Sequence, residues 1–546
     1  YQDWTKEDLI QEIKRLKKRK KYGLVWDEEK TKERFESDAE GKLPVLVEDR
    51  KKEIMSDTNK PVNILIEGDN YHALSVLNYT HPKSIDVIYF DPPYNKGNVN
   101  VRDFIYNDNI VDAEDPYRHS KWLSFMQKRL ALAKNLLKNT GLIFISIDDT
   151  EMAELKLLMD EIFSEQNFLA TLIWRGMHTV RNSSKDFNHN TEYILTYAKN
   201  KSILIESGKA NTYLRIDRDK TASYPHDDND GKGQYKLDPI YARNFYTPYE
   251  IVFPNGVKWS AQRGNYPRYS KDTLLEMYND GLLVFSGKEP KAKRYLRDVQ
   301  EGVPPNTLLP NEEVGFNKDG TTLLHEMFGE KMFDQPKPVT LIKYLLSIKN
   351  KKHDYNNWII LDFMAGSGTT GHAVLELNKE DGGNRQFILC TNNENNICTD
   401  VCYPRVQKVI EGYKNSKAEK INGLGGNLKY FKTAFVGSEP THRNKKMLTD
   451  KSVEMLCIKE NTFEEVLNKR QYRIFKNKGK YLAIILDEMQ IDAFKKEIGK
   501  LKLPVSVYVF SLEGDDFREE FEDLKNKITL CSIPEAILKV YRRIFK

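Results

Sequence analysis

Cysteine is scarce in this chain: Cys390, Cys398, Cys402, Cys457 and Cys531 are five thiols in 546 residues. So few exclude a disulfide framework and suit a reducing compartment. Cys398 and Cys402 have the spacing of half a zinc site, but no second Cys or His pair lies nearby in sequence. They read as buried or incidental thiols, and no metal is expected. Apolar runs of membrane length are missing, as is a secretory signal, so the chain is expected to avoid membranes and stay in the cytoplasm. Bulk charge is also missing. The formal net charge is only +5, so a nucleic-acid surface has to come from local clustering. No GxxxxGK[ST] stretch occurs, which argues against a P-loop. What remains is a folded globular composition, 30% charged and 39% hydrophobic, too long for one core. Two to four domains are expected.

The stretch Asp91-Pro92-Pro93-Tyr94 closes the run Ile85-Asp86-Val87-Ile88-Tyr89-Phe90, which reads as a buried parallel strand. The prolines stop the ladder and stiffen the backbone, so Asp91 and Tyr94 are expected at the carboxyl end of that strand. Open α/β sheets bind ligands there. An acid and an aromatic face on a rigid turn suit a planar group bearing an amine. Taken alone, the tetrapeptide reads equally well as an ordinary strand-ending turn.

A second site stands far downstream. Trp358-Ile359-Ile360-Leu361-Asp362 runs into Phe363-Met364-Ala365-Gly366-Ser367-Gly368-Thr369-Thr370, and Gly371 to Leu377 continues as a helix. Glycines let a ligand approach the backbone, with helix N–H groups facing it. The third glycine of a dinucleotide fingerprint is missing.

Together the two sites resemble the S-adenosylmethionine-dependent amino-methyltransferases of the DNA N6-adenine class, with DPPY preceding FxGxG. That order is the β-type permutation. The match extends to Asn63–Asn70, to Phe333-Asp334-Gln335-Pro336-Lys337-Pro338, and to Gln386–Thr391 followed by Glu394. It covers roughly Pro61–Ala198 and Lys331–Gly437. The N-terminal Lys21–Trp26 and Leu43–Leu46 are similar to modification subunits of Type III restriction–modification systems.

The resemblance implies an α/β, Rossmann-like methyltransferase sheet, mostly parallel with a reversed hairpin at one edge. It implies S-adenosyl-L-methionine held by Asp69, Phe333, Lys337, Pro338, Asp362, Phe363, Ala365, Gly366, Ser367, Gly368, Thr369, Thr370 and Glu394. Within that set Glu394 would take the ribose and Asp69 the adenine end. Asp91, Pro92, Pro93 and Tyr94 would act on the amine of a flipped base. N4-cytosine or RNA adenine methylation, and a mainly DNA-binding specificity subunit, stay open. Double-stranded DNA, a second copy of the chain and a nuclease–translocase subunit are the expected partners, in a prokaryotic cytoplasm.

The expected organisation is an N-terminal helical arm over 1–60 and a catalytic half over 61–198. A target-recognition insertion over 199–330, a cofactor half over 331–440 and a small α/β domain over 441–546 follow. The arm carries an amphipathic helix from Thr5 to Leu16, then Lys17–Lys21. Tyr117–Lys138 reads as a helix, Leu142–Ile147 as a strand, and Phe168–Trp174 with Thr191–Tyr197 as the hairpin. The basic loop after Trp174 offers Arg175, His178 and Arg181, with His189 nearby. The insertion interleaves Arg243, Lys258, Arg263, Arg268, Arg294 and Arg297 with tyrosines, a pattern that can hold phosphate and stack on bases. Some of those tyrosines are expected to fill its small core. Nothing in the chain resembles a nuclease or helicase motif.

Overall fold

In the computed structural model, Trp26, Glu33 and residues 41–544 are described, except 58, 98–104, 107–108, 180–185, 207–212, 287–288, 300–301, 351–354, 512–516 and 534. The expected N-terminal helix, the basic run 17–21 and Arg181 lie outside the described residues.

Apolar runs form the strands of the main sheet; the central parallel ones bury both faces, as strands between helical layers must, whereas the edge strand at Phe168–Arg175 is only partly buried. They are β1 (Lys42–Glu48), β2 (Val62–Glu67), β3 (Ile85–Phe90), β4 (Leu137–Ile147), β5 (Phe168–Arg175) and β6 (Thr191–Ala198). The insertion supplies β7 (Tyr235–Pro239), β8 (Leu283–Ser286) and β9 (Glu289–Tyr295). Then β10 (Ile359–Asp362), β11 (Gln386–Thr391) and β12 (Asn427–Gly437) return to the main sheet. Its order is β1-β12-β2-β11-β10-β3-β4-β6-β5, and Ile54–Met55 completes ten strands by pairing onto β12. From β12 to β4 every pairing is parallel. β6 enters antiparallel between β4 and β5, and β1 is antiparallel at the other edge. This is the mostly parallel, Rossmann-like sheet with a reversed hairpin that the resemblance implies.

The crossovers are α1 (Asn70–Thr80), α2 (Arg118–Leu136) and α3 (Met152–Phe163). One boundary differs from the sequence reading. α2 ends at Leu136, and β4 opens at Leu137 rather than Leu142. Leu137 is fully buried and pairs with Ile85 before a register shift, so tertiary pairing converts the end of the helical pattern to strand.

A buried cation ties the N-terminal arm to this layer. Arg129 on α2 is 1% exposed. Its Nη1 contacts both Glu33 oxygens at 3.0 Å, its Nη2 meets Asp69 at 3.3 Å, and its Nε donates to Asn70 at 2.5 Å. Nearby, Trp26 Nε1 donates to Ser124 at 3.0 Å.

The chain folds as two compact units. The first holds Tyr1–Thr212, Asn306–Leu346 and Asn350–Lys546, the second Tyr213–Pro305 and Ser347–Lys349. The second unit is therefore narrower than the expected insertion, since residues 306–330 fold with the main sheet. Its antiparallel β7-β9-β8 sheet and α4 (Lys271–Asn279) enclose Ile240, Ile251, Phe253, Trp259 and Leu274. Tyr241, Tyr249, Tyr269 and Tyr278 pack partly buried against that core.

Within the first unit follow α5 (Asn317–Phe328), α6 (Val339–Ser347), α7 (Thr369–Asp381), α8 (Tyr403–Glu411) and α9 (His442–Glu460). After α9 the chain builds β13 (Glu464–Asn468), β14 (Tyr472–Lys476), β15 (Tyr481–Ile485), β16 (Val505–Phe510) and β17 (Ile528–Ile533) into one mixed sheet. β13 and β14 were not anticipated, because their polar alternation is short and interrupted by a bulge. α10 (Ile491–Ile498) and α11 (Glu535–Ile544) complete this region. It shares the main core, and Tyr541 on α11 donates to the Pro44 carbonyl of β1 at 2.5 Å. Among the described residues no helix is long and apolar enough to cross a membrane.

Replacing Arg129 with Met should leave the nearly buried Glu33 with only Lys128 among the described residues, at 3.7 Å, and take the guanidinium from Asp69. Loss of one partner from such a pair costs about 3–5 kcal/mol. Denaturant titration should show this as a lower midpoint with an unchanged slope.

Candidate active site

The parallel pairing of β3 with β10 brings the two turns together. Val87 lies opposite Ile360 and Ile88 opposite Leu361, so Asp91 and Phe363 emerge from adjacent strand ends. The Phe90 and Phe363 rings meet at 4.3 Å between centroids beneath them. Trp122, fully buried on α2, donates its indole N–H to the Pro93 carbonyl at 2.7 Å and fixes the proline turn from below.

Above that turn lies an ionic network that sequence reasoning did not foresee. Lys337, 7% exposed, places Nζ 3.2 Å from Asp91 Oδ2 and 2.8 Å from Glu192 Oε2. It also donates to the Tyr94 hydroxyl at 2.8 Å, and that hydroxyl donates to Glu192 at 2.9 Å. Asn317 on α5 donates to the other Glu192 oxygen at 2.9 Å. Glu192 stands on β6, and its acid in the apolar strand Thr191–Ala198 was the available signal. The resemblance grouped Lys337 with the cofactor residues; here its ammonium sits on Asp91, Glu192 and Tyr94.

Burial pushes the Asp91 carboxyl above its ordinary range, against the pull of Lys337. Burial acts the same way on Glu192, but Lys337, Asn317 and Tyr94 together outweigh it and hold that carboxyl low. Lys337 stays protonated, because the two carboxylates overcome its own burial. Asp91 Oδ1 is buried and, among the described residues, has no hydrogen-bond partner. A buried acceptor without a donor is costly, so an orphan at a strand end marks a place for a ligand donor.

The glycine turn is equally specific. Gly366 and Gly368 have φ of +49° and +78°, conformations other residues adopt only under strain. A Cβ on Gly366 would stand 3.1 Å from Phe333 Cζ, and one on Gly368 3.1 Å from Cys402 Sγ. Asp362 accepts the Thr370 hydroxyl at 2.5 Å and the Met364 N–H at 3.1 Å. Burial nevertheless raises its carboxyl to about 7. Arg405, on α8 and fully buried, reaches Ser367 Oγ at 3.0 Å and Thr369 Oγ1 at 2.8 Å, holding the turn from behind. Sequence reading missed it, although an arginine on an otherwise apolar helix face was a usable sign.

Pro336, Lys337 and Pro338 are buried just ahead of α6. Gly320 of α5 lies against them, and a Cβ there would fall 2.1 Å from the Pro336 carbonyl oxygen. Asp69 caps α1 through Tyr71 N–H at 2.8 Å and also engages Arg129. Glu394 is exposed in a short helical turn beyond β11. Cys398 and Cys402 are both buried, Cys398 beside the Tyr430 hydroxyl at 3.4 Å.

The expected DNA contacts separate into two groups. In the first unit, Arg175 turns back onto the carbonyls of Met177 and His178 at 3.2 and 2.9 Å. The exposed His178 ring packs edge-on against Phe316 at 5.3 Å, and His189 pairs with Asp149 at 3.4 Å. In the second unit, Arg243, Lys258, Arg263, Arg268, Arg294 and Arg297 are all exposed. Lys258 pairs with Glu250 at 2.8 Å, Arg294 with Asp238 at 3.4 Å, and Arg297 with Asp298 at 3.7 Å.

Residues 85–401, spanning both turns, match the family model described as DNA methylase. The chain belongs to the DNA methylase family. It is 34% identical over 381 residues to the Type III restriction-modification enzyme StyLTI Mod subunit of Salmonella typhimurium, covering 64% of this chain and 56% of that protein. It is 32% identical over 397 residues to the Type II methyltransferase M.KpnI of Klebsiella pneumoniae, covering 68% and 90%. The chain thus spans 56–60% of the length of the Type III Mod subunits StyLTI, EcoP15I and EcoPI. A solved structure, the M1.HpyAVI–SAM complex, aligns at 15% identity and TM-score 0.28 over 63% of this chain and 97% of that one.

Two outcomes are expected from the geometry. Gly320→Ala should push the Pro336–Lys337 backbone away from α5, an overpacking cost of about 1–3 kcal/mol readable by thermal melting. Asp362 has a folded pKa raised from 3.8 to about 7. Its contribution to stability is therefore complete below about pH 4 and is lost as pH rises through about 7. Asp362→Asn should flatten that part of the stability–pH curve, measured by denaturant unfolding of the ligand-free protein between pH 4 and 8.

Proposed function

We propose that the protein is a sequence-specific DNA methyltransferase that methylates adenine N6, with S-adenosylmethionine as methyl donor, in the manner of a Type III modification subunit. The orphaned Asp91 Oδ1 carries the reading. It is a buried acceptor beside an aromatic ring, at the strand end next to a glycine turn, and it lacks the donor an exocyclic amine would supply.

The residues present fit the donor molecule. Gly366 and Gly368 leave a cradle that a Cβ would fill, and Phe333 lies directly against it. Phe363, Ala365, Ser367, Thr369 and Thr370 line or brace the turn. Asp362, Glu394, Asp69 and Pro338 complete the set the resemblance implies. When bound, S-adenosylmethionine supplies a methyl group activated by a sulfonium.

The chain's own residues do the rest. Tyr94 offers a ring face on which a flipped adenine stacks. Asp91 and the Pro92 carbonyl accept hydrogen bonds from N6, raising electron density on nitrogen and fixing its direction. Pro93, anchored by Trp122, keeps that acceptor pair rigid. Recognition of sequence falls to the basic, tyrosine-bearing surface of the second unit, where Arg243, Lys258, Arg263, Arg268, Arg294 and Arg297 are exposed. Arg175 and His178 border the target base. Likeness to Type III Mod subunits extends the reading to a restriction partner; a homodimer and a cytoplasmic location accompany it. N4 of cytosine is the second reading, because the same acceptor pair would take that exocyclic amine.

Incubation with labelled S-adenosylmethionine and genomic DNA, followed by nucleoside analysis, should yield N6-methyldeoxyadenosine. N4-methyldeoxycytidine would establish the second reading, and no labelled base would overturn both. Asp91→Ala should lower kcat by about 10²–10³-fold, the scale for one preorganised electrostatic contact. DNA affinity, dominated by phosphate contacts, should change little. Tyr94→Phe or Tyr94→Trp should retain far more activity than Tyr94→Ala, because a π-face survives. In calorimetry, Glu394→Ala should weaken donor binding by about 1–3 kcal/mol, and Gly366→Val should abolish it.

A further inference from the structure

We infer that Glu192 is a positioning residue that sets the acceptor strength of Asp91 by competing with it for the single charge of Lys337. The inference rests on the methyltransferase reading above and deepens it. Two carboxylates face one ammonium. Lys337 Nζ lies nearer Glu192, at 2.8 Å, than Asp91, at 3.2 Å. Glu192 also takes the Tyr94 hydroxyl and, on its other oxygen, the Asn317 amide. It is thereby fully engaged and only 14% exposed at its side chain, whereas Asp91 keeps Oδ1 unpaired. The two carboxyls shift in opposite directions: burial prevails at Asp91, whereas at Glu192 it is outweighed by Lys337, Asn317 and Tyr94.

Division of the charge has a consequence for chemistry. Given wholly to Asp91, the Lys337 ammonium would neutralise the carboxylate and weaken its hold on an amine. Drawn toward Glu192, it stabilises the ionised Asp91 only in part and leaves the carboxylate a stronger acceptor. The same bond to Tyr94 orients the ring that flanks the acceptor. Other groups facing Asp91 are Tyr89 and Tyr94 from its own segment and Asp362 from β10; Tyr89 is bonded to Ser146 of β4 at 3.0 Å. None of these carries positive charge, so Lys337 is the group whose partition matters.

Glu192→Gln tests the idea, because the amide preserves shape and can still accept from Tyr94 while surrendering its charge. Methyl transfer is followed as kcat against pH, with thermal melting as the check on folding. The expected result is a kcat about 10–100-fold lower, with KM for DNA nearly unchanged. The acid limb of the profile should move to lower pH, because Asp91 gains Lys337 outright and loses a like charge. Glu192→Asp should restore part of the rate, and Lys337→Met should move the acid limb to higher pH. A Glu192→Gln enzyme that folds and transfers methyl with the wild-type acid limb overturns the inference and leaves the methyltransferase reading standing. Absence of methyl transfer by the wild-type protein in the same assay overturns that reading and the inference with it.

Discussion

The parallel register between β3 and β10 is the constraint on which the site depends. Ile88 opposite Leu361 sets the ends of two strands, separated in sequence by the whole insertion, side by side. Side chains alternate along strands, so a slip of one residue would turn either turn's leading residues to the opposite face of the sheet. The buried apolar run on each strand prevents that slip. Asp91 and the glycine turn therefore stand at adjacent strand ends as a consequence of core packing.

Around this fixed pair, polar groups are anchored by buried donors from other layers. Trp122 holds the Pro93 carbonyl, Arg405 holds Ser367 and Thr369, and Arg129 holds Asp69 together with Glu33. Each donor is buried, so its hydrogen bonds work at low effective dielectric and fix a geometry rather than merely decorating it. Asp91 departs from this pattern, with one oxygen in an ion pair and the other unpaired. A site whose supports are satisfied and whose central acceptor is not is arranged to receive a donor from outside.

Much of this was legible in the chain. The strands at Ile85–Phe90, Ile359–Asp362 and Gln386–Thr391 announced themselves as apolar runs ended by turn chemistry. The reversed hairpin at Phe168–Arg175 and Thr191–Ala198 was readable as well. Less visible were boundaries decided by partners, as where Leu137 leaves the helical pattern to pair with Ile85. Glu192 and Arg405 were hidden for a related reason. A charged residue in an apolar element is anomalous in sequence, but the anomaly does not reveal which partner satisfies it.

Sequence alone determined which local elements form and which chemical groups stand at their ends, because hydrophobic period, proline and glycine act over a few residues. DPPY, the FxGxG-like turn and their order were fixed at that level, and with them the family. Tertiary structure decided how charge is shared between groups far apart in the chain: Lys337 with Asp91 and Glu192, Arg129 with Glu33 and Asp69. It also decided that the compact second unit spans Tyr213–Pro305 and that the C-terminal sheet joins the main core. The physical reason is one of range. Local preference is written in neighbouring residues, whereas the partition of a buried charge depends on distances that exist only after the sheet has closed.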